Sequence, residues 1–245
     1  GIDDGPETIE GSLALARAAR AAGIETIVAT PHVSRAYPNE AATIGRLVEE
    51  MEARFAAEGL SLGLRSGAEI AIGMVDGIAP EELSELALGD GPWLLIECPF
   101  TSLASGVDLL LLRLQSKGHK VVLAHPERSP FFHRETKLLG SLVKSGVLTS
   151  ITAGSLTGRF GKQVQRFGRS LLEEGLVHNV ASDAHDSSNR PPGIRAELQD
   201  SGFGDLVDWL AQEVPSAILA GEAIPKRPGA VPAGRKPGVW WRRER

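Results

Sequence analysis

The chain has 245 residues, of which 42% are hydrophobic, and its formal net charge is −5 at pH 7. This length suits one large α/β domain, and the acidic balance gives no reason to expect a nucleic-acid partner. The single cysteine, Cys98, excludes an internal disulfide framework and is typical of a protein in a reducing cytoplasm, which is the expected location. No apolar run approaches the ~20 residues of a transmembrane helix, so we expect no integral membrane segment.

The predicted elements alternate between helix and strand along the chain. A helix is predicted over about residues 7–22, where Ile9, Leu13, Ala16 and Ala19 recur at helical spacing, and Gly23 follows it. A strand is predicted over 24–30, and it runs into a loop at Pro31-His32. Further helices are predicted over about 40–58, 107–117, 134–145 and 162–174. Further strands are predicted to end near Glu69, Glu97, Ala124, Ile151 and Ser182. Repeated βα units with short connections indicate a parallel sheet.

Polar side chains at the strand ends favour a barrel over an open, doubly wound sheet. His32, Glu97, His125 and Asp183 each lie at or just after the last residue of a predicted strand. In a barrel these ends meet on one face, where barrel enzymes have their active sites. An open sheet usually has a glycine-rich phosphate loop after its first strand, and neither G-x-G-x-x-G nor G-x-x-x-x-G-K-[ST] occurs here.

Five short clusters combine carboxylate and imidazole side chains. They are Asp3-Asp4-Gly5, Thr30-Pro31-His32, Gly67-Ala68-Glu69, Ala124-His125-Pro126-Glu127-Arg128 and Ser182-Asp183-Ala184-His185. A single His or Glu at a strand end is more often a hydrogen-bonded structural residue than a ligand. At successive strand ends, however, such residues together predict one mixed nitrogen and oxygen site for Mn²⁺, Fe²⁺, Zn²⁺ or Mg²⁺. The lack of thiolates argues against a structural zinc site.

A longer series of motifs is similar to one known family. It comprises Ile2-Asp-Asp-Gly-Pro6, Ala29-Thr-Pro-His32, Gly67-Ala-Glu-Ile70, Leu95-Ile-Glu97, Ala124-His-Pro-Glu-Arg128, Ile151-Thr-Ala-Gly-Ser-Leu-Thr-Gly-Arg-Phe-Gly161, Ala181-Ser-Asp-Ala-His185 and Arg190-Pro-Pro192. With these motifs over residues 2–224, the sequence resembles the PHP (polymerase and histidinol phosphatase) superfamily. Within that superfamily it resembles the CpsB/YwqE-type bacterial protein-tyrosine phosphatases.

The resemblance implies a fold, a metal centre and a set of site residues. The fold is a PHP-type distorted TIM-like (β/α)7 barrel over residues 1–224, with a parallel sheet and helices outside. The centre holds up to three divalent metals, with Mn²⁺ favoured over Fe²⁺, Mg²⁺ or Zn²⁺. The implied metal ligands are Asp4, His32, Glu69, Glu97, His125, Asp183 and His185. The implied catalytic residues are Arg128 and Arg190, which match phosphate-binding positions, together with His125 and Asp183.

Two segments at the edges of the resemblance need separate interpretation. The family has a His-x-His pair of metal ligands shortly before Asp-Asp-Gly-Pro, and this sequence begins after that point. We expect further residues upstream, because the other ligand positions are intact; the alternative is a real loss of two ligands. Residues 225–245 form a basic tail rich in Pro and Gly, with Trp240-Trp241 near its end. We expect the tail to be flexible; the alternative is contact with an anionic membrane or a partner.

The implied activity is hydrolysis of phosphotyrosine in proteins. The implied partner is a bacterial tyrosine kinase that regulates capsule or exopolysaccharide biosynthesis, while the oligomeric state is not predicted. Three divalent cations with four carboxylates would leave a positive site, which favours a phosphate monoester. A cysteine nucleophile is not expected, because Cys98 lacks the Arg six residues later that would cradle the phosphate. The 154–161 loop either shapes the phosphotyrosine pocket or caps the barrel.

Two alternative functions remain open at this point. One keeps the metal centre but acts on a small phosphomonoester such as histidinol phosphate. The other is a metal-depleted PHP domain that serves as a non-catalytic binding module.

Overall fold

The computed structural model of the chain describes residues 1–101 and 106–229. The strands are β1 (Thr26–Ala29), β2 (His32–Val33), β3 (Gly63–Ser66), β4 (Glu69–Ala71), β5 (Trp93–Glu97), β6 (Lys120–Ala124), β7 (Leu148–Thr152) and β8 (Asn179–Ala181). The α-helices are α1 (Ile9–Ala21), α2 (Ala41–Ala57), α3 (Pro80–Glu85), α4 (Val107–Ser116), α5 (Pro130–Arg134), α6 (Thr136–Lys144), α7 (Ala153–Leu156), α8 (Lys162–Glu173), α9 (Arg195–Asp200) and α10 (Val214–Ala220). Within these described ranges, none of the helices has the length and apolarity needed to cross a membrane.

The five predicted helices correspond to α1, α2, α4, α6 and α8. Local sequence signals explain where α1 begins and ends. The Thr8 side chain accepts a hydrogen bond from the backbone N–H of Gly11, which caps the helix start. After the helix, Gly23 adopts a φ of 82°, a left-handed conformation that glycine tolerates without strain.

All of the described strands run parallel, and their spatial order follows the order of the chain. The larger sheet has the order β2-β4-β5-β6-β7-β8, and β1 pairs separately with β3. The register continues from the pair Ala29 and Ser66 to the pair His32 and Glu69, so the two sheets form one interrupted surface. The strand order does not reverse, and a doubly wound sheet requires such a reversal. The prediction of a parallel sheet is confirmed.

Two strands differ from prediction because each is interrupted just before a site residue. His32 is predicted to lie in a loop, but it is the first residue of β2. Glu69 is predicted to lie near a strand end, but it begins β4 after a break at Gly67 and Ala68. A Cβ atom on Gly67 would lie 2.9 Å from Cδ2 of Leu88, so a larger residue at this position would displace the Leu88 side chain. The two interruptions bring His32 and Glu69 into register as neighbours.

The central strands are buried within a continuous hydrophobic core. Leu94 and Ile96 of β5, and Val121 and Leu123 of β6, have no exposed surface. Near-continuous apolar runs of this kind are typical of parallel strands covered on both faces. A second, smaller cluster packs α1 and α2 against β3. The core therefore fixes the strands from which the polar site residues emerge.

The sheet is open between β8 and β1 within the described ranges. Its outermost strands are β1 and β2 on one side and β8 on the other. A cavity of about 550 Å³ lies beside these edges and is lined by Val28 of β1 and Val180 of β8. The same cavity reaches His32, Glu69 and His125. The described strands thus have the order of a barrel without closing its ring.

The predicted tail lies only partly within the described residues. The carbonyl of Pro225 accepts a hydrogen bond from Nε1 of Trp209 at 3.0 Å, so the start of this segment packs on the body of the protein. Residues 230–245, including Trp240-Trp241, lie outside the described residues. The domain boundary at residue 224 and the flexibility of the tail stay predictions.

We expect Leu123→Ala to destabilise the fold by about 2–5 kcal/mol, because it removes buried methyl groups and leaves a cavity in β6. Urea unfolding of both proteins measures the difference. The control is Leu109→Ala on α4, whose side chain is 65% exposed and whose effect should stay within about 0.5 kcal/mol. Equal losses for the two variants would contradict this description of the core.

We expect His178 to make the folded state sensitive to acid. Its Nδ1 accepts a hydrogen bond from the backbone N–H of Thr149. Burial, with a smaller effect from Arg227, lowers the pKa of His178 to about 4. Because the unfolded pKa is ~6.5, protonation favours the unfolded chain as the pH falls. The contribution of His178 is complete above about pH 6.5, and about 3 kcal/mol is lost as the pH falls to 4.

The measurement is urea unfolding of wild type and His178→Asn across this pH range. The stability of the variant should fall less steeply with acid than that of wild type. Parallel curves would show that His178 does not carry the effect.

Candidate metal centre

The seven predicted ligands lie together at one end of the sheet. They are Asp4, His32, Glu69, Glu97, His125, Asp183 and His185. Each has a side-chain nitrogen or oxygen within 3.9 Å of such an atom in another member. These contacts connect all seven side chains to one another, directly or through another member, although the residues come from widely separated parts of the sequence. The tertiary structure therefore brings together the whole predicted set.

Two overlapping groups within this set have the spacing of metal ligands. Asp4, His32 and His185 each offer one ligand atom, and these atoms lie within 4.8 Å of one another. The same holds for His32, Glu69 and Glu97. His32 joins the groups because its Nε2 lies 3.4 Å from Asp4 and its Nδ1 lies 3.9 Å from Glu69. Imidazole nitrogens mixed with carboxylate oxygens fit first-row divalent cations.

A buried pair, Glu69 and His125, occupies the centre of the site. Nε2 of His125 lies 2.8 Å from Oε1 of Glu69, and both residues are buried. Burial raises the pKa of Glu69, but the hydrogen bond and charge of His125 outweigh it and lower the pKa below its ordinary value. Burial lowers the pKa of His125, but the hydrogen bond and charge of Glu69 raise it above its ordinary value. Both shifts favour the charged pair.

Glu97 lies beside this pair, and its pKa shifts in the opposite direction to that of Glu69. Its Oε1 is 3.7 Å from Nε2 of His125. Burial and then the negative charge of Glu69 raise the pKa of Glu97. Two carboxylates at one place repel each other, so one of them holds its proton more readily unless cations are present. This arrangement attracts positive charge.

His125 and Asp183 have backbone conformations that non-glycine residues rarely adopt. Their φ angles are 30° and 51°, both in the left-handed region. Such conformations cost on the order of 1–3 kcal/mol each, and they persist where the surrounding structure enforces them. The backbone N–H of His125 donates to the carbonyl of Ser150 on β7 at 2.7 Å. Both strained residues therefore lie in the candidate site.

The two predicted phosphate-binding arginines converge on a single oxygen. Arg128 donates from Nη1 to Oδ2 of Asp183 at 2.6 Å, and Arg190 donates from Nη2 to the same atom at 2.5 Å. Both arginines are only partly buried, so solvent reaches them. Two guanidinium groups that share one oxygen acceptor are also placed to share a phosphate oxygen.

Asp3 and Asn39 support the first ligands, and neither is predicted as a site residue. Oδ2 of Asp3 accepts a hydrogen bond from the backbone N–H of His32, and its Oδ1 accepts one from Gly5. Asn39 donates from Nδ2 to the carbonyls of His32 and Ile2. Asp3 belongs to a quoted motif and could have been noticed there, whereas Asn39 has no local sequence signal.

Glu127 performs a similar role for the turn that carries His125 and Arg128. It is fully buried, and its Oε1 accepts hydrogen bonds from the backbone N–H of Thr152 and from the hydroxyl of Ser155. Burial raises its pKa. These bonds join the turn after β6 to the end of β7, although the sequence motif alone suggests no role for Glu127.

Asp186 shapes the loop that presents Arg190. Its Oδ1 accepts hydrogen bonds from the backbone N–H groups of Asn189 and Ser188, and these bonds lower its pKa to about 2. The backbone N–H of His185 donates to the carbonyl of Arg190 at 3.0 Å. The loop thus holds a predicted ligand and a predicted phosphate-binding residue in a fixed relation.

Cys98 is a buried, unreactive thiol, as expected from the sequence. It is 3% exposed, and burial together with the charge of Glu97 raises its pKa to about 12. A nucleophilic cysteine requires a thiolate near neutral pH. The chemistry of the site therefore depends on the histidines, carboxylates and arginines.

Comparison with known proteins identifies the family. The profile of the family described as "Capsular polysaccharide synthesis, CpsB/CapC" matches residues 1–200. The chain belongs to the CpsB/CapC family. It is 36% identical over 232 residues to tyrosine-protein phosphatase YwqE of Bacillus subtilis (strain 168), covering 93% of this chain and 91% of YwqE. It is 30% identical over 200 residues to tyrosine-protein phosphatase CpsB of Streptococcus pneumoniae, covering 78% of this chain and 81% of CpsB.

A solved structure confirms the relationship at the level of the fold. It comes from work on YwqE of B. subtilis and CpsB of S. pneumoniae, described there as unique metal-dependent tyrosine phosphatases. The two structures superpose with a TM-score of 0.83 at 34% sequence identity, covering 93% of this chain and 94% of the other. The family and the α/β fold predicted for this CpsB/CapC protein are therefore confirmed.

We expect Mn²⁺ binding to release protons and to tighten as the pH rises from about 6 to 8. Histidine binds metals only when its ligating nitrogen is deprotonated, and Glu69 raises the pKa of His125. A cation must therefore displace a proton that an isolated histidine would already have lost. Titration calorimetry in two buffers of different ionisation enthalpy measures the number of protons released.

The matched variant is Glu69→Gln, which keeps the size of the side chain but removes its charge. It should bind Mn²⁺ more weakly and release fewer protons. Equal heats in both buffers for the wild type would exclude the linkage.

Proposed function

We propose that this CpsB/CapC protein is a metal-dependent protein-tyrosine phosphatase. The observation that carries the proposal is the convergence of seven predicted ligand side chains beside two arginines that share one acceptor. The proposal is supported by the relatives YwqE and CpsB, which are named tyrosine-protein phosphatases.

The proposed metal centre uses the residues that cluster at the strand ends. Up to three divalent cations would be held by Asp4, His32, Glu69, Glu97, His125, Asp183 and His185, with Mn²⁺ preferred and Fe²⁺, Mg²⁺ or Zn²⁺ as alternatives. The donors fit this assignment because they are hard oxygens and imidazoles without thiolates. When bound, the cations supply Lewis acidity toward phosphoryl oxygens and lower the pKa of water to ~7.

Arg128 and Arg190 would bind and orient the phosphate. Each donates a charge-assisted hydrogen bond to Asp183, and each can exchange that acceptor for a phosphoryl oxygen. Donors fixed where negative charge develops lower the barrier to reaction. The loop anchored by Asp186 keeps Arg190 in place, and the buried Glu127 does the same for Arg128.

The leaving group of the proposed reaction suits such a site. A phenolic oxygen has a pKa of ~10, far below that of an alkyl alcohol, so it departs with less help from a proton donor. A covalent phosphoenzyme is not required.

The finer proposal concerns the partner and location. The family description refers to capsular polysaccharide synthesis. We infer that the substrate is a tyrosine kinase phosphorylated on its own tyrosines, which regulates capsule or exopolysaccharide assembly. We place the reaction in the cytoplasm, where the lone cysteine would stay reduced.

The direct test is phosphate release by the purified full-length protein with Mn²⁺. A phosphotyrosine peptide should be hydrolysed with a higher kcat/KM than histidinol phosphate. A preference for histidinol phosphate would assign the site to small phosphomonoesters. No release from either substrate with any divalent metal would leave only a binding role.

We expect Asp183→Ala and His125→Ala each to lower kcat at least about 100-fold, because each removes a group on which the proposed chemistry depends. The assay is phosphate release from the peptide, with circular dichroism to verify that the fold is retained. The control is Leu112→Ala, an exposed position on α4, which should keep wild-type activity. Full activity in either site variant would show that the assignment is wrong.

A further inference from the structure

Two phenylalanine rings flank the arginines of the site. The centroid of Phe160 lies 4.4 Å from Cζ of Arg128 and 5.9 Å from Cζ of Arg190. The centroid of Phe100 lies 5.2 Å from Cζ of Arg128. Phe100 also stacks on the ring of His125, with 5.5 Å between centroids and 14° between planes. The two rings therefore contact the groups proposed to bind phosphate and metal.

Phe100 is unusually exposed for a ring in this position. It is 47% exposed, although it covers one face of His125 and contacts Arg128. An aromatic ring with one face on the site and much of its surface in water offers that surface to a ligand that enters the site. A ligand with an aromatic ring would gain from this contact, because paired rings attract beyond the gain from buried area alone.

Phe160 has different surroundings and therefore a different role. It is only partly exposed and lies in the turn between α7 and α8. The loop predicted over residues 154–161 is therefore helical over residues 154–156, which belong to α7. Its ring contacts both guanidinium groups, which favours a fixed position for each through cation–π attraction. Phe160 is thus placed to orient Arg128 and Arg190 rather than to meet the substrate.

We propose that Phe100 forms the wall against which the phenyl ring of phosphotyrosine packs, and that Phe160 is a positioning residue for the two arginines. This inference rests on the proposed function and gives the physical basis of its preference for aryl phosphates. A phosphate held by Arg128 and Arg190 places the attached phenyl group next to Arg128, which contacts Phe100. A short alkyl phosphate would not reach that ring.

The test compares two non-hydrolysable probes, benzylphosphonate and methylphosphonate, by titration calorimetry of the Mn²⁺-loaded protein. Wild type should bind benzylphosphonate more tightly. Phe100→Ala should reduce the ratio of the two affinities by about two- to tenfold. Phe100→Trp should keep the ratio, and Phe100→Leu should lower it, because leucine is apolar but has no ring. The control is Leu112→Ala, which matches Phe100 in exposure at 46% and should leave the ratio unchanged.

Phe160→Ala should weaken both probes by the same factor, because it disturbs the arginines that bind the shared phosphonate. Phe160→Tyr should restore both affinities, since it keeps the aromatic face. A loss that Phe160→Tyr does not rescue, or a loss confined to benzylphosphonate, would overturn the positioning role. An unchanged affinity ratio in Phe100→Ala would overturn the proposal that the phenyl ring packs against Phe100.

The proposed function and the inference about Phe100 are tested by different results. If the wild type releases no phosphate from a phosphotyrosine peptide, the proposed function fails, whatever the probes show. If the wild type is active and the affinity ratio in Phe100→Ala equals that of wild type, only the inference about Phe100 fails.

Discussion

The structure of the site depends on the buried contact between Glu69 and His125. The two side chains join β4 to the turn after β6, with β5 between them, and each stabilises the charge of the other in a region that water hardly reaches. Removing one partner from such a pair leaves an uncompensated buried charge, which costs several kcal/mol. His32 lies 3.9 Å from Glu69, and Glu97 lies 3.7 Å from His125, so two further predicted ligands contact the pair. The pair thus holds the group together and makes it receptive to cations.

Carboxylates support the backbone around the site. Asp3 accepts a hydrogen bond from the backbone N–H of His32, Glu127 accepts one from Thr152 at the end of β7, and Asp186 accepts two from the loop before Arg190. Each carboxylate satisfies backbone N–H groups close to site residues. The backbone that carries these residues is therefore held in place. His125 and Asp183 adopt left-handed backbone conformations, which persist only where the surrounding structure enforces them.

Charge organises the site in two zones. The carboxylates and histidines on the strand ends form an inner zone that fits cations, while Arg128 and Arg190 form an outer zone that fits an anion. Asp183 belongs to both, because it contacts His185 on one side and the two arginines on the other. A phosphate monoester is a ligand that both zones attract. The ring of Phe100 borders the outer zone where the organic part of such a ligand would lie, while the ring of Phe160 contacts the two arginines.

The sequence by itself indicated five of the ten described α-helices, the parallel strands and the identity of the clustered polar residues, since apolar periodicity and short motifs are local properties. It did not indicate α3, α5, α7, α9 and α10, which have four to seven residues each and are too short for a clear periodicity. It did not indicate that β1 and β3 end before His32 and Glu69, where the new strands β2 and β4 begin. It also could not indicate Asn39, Phe100 or Phe160, whose roles arise from contacts with residues far away in the chain. The distances among the ligands, the opposed pKa shifts of Glu69 and Glu97, and the shared acceptor of the two arginines were decided only by the tertiary structure. Burial and charge act through space, and their effects are set when strands distant in sequence become neighbours.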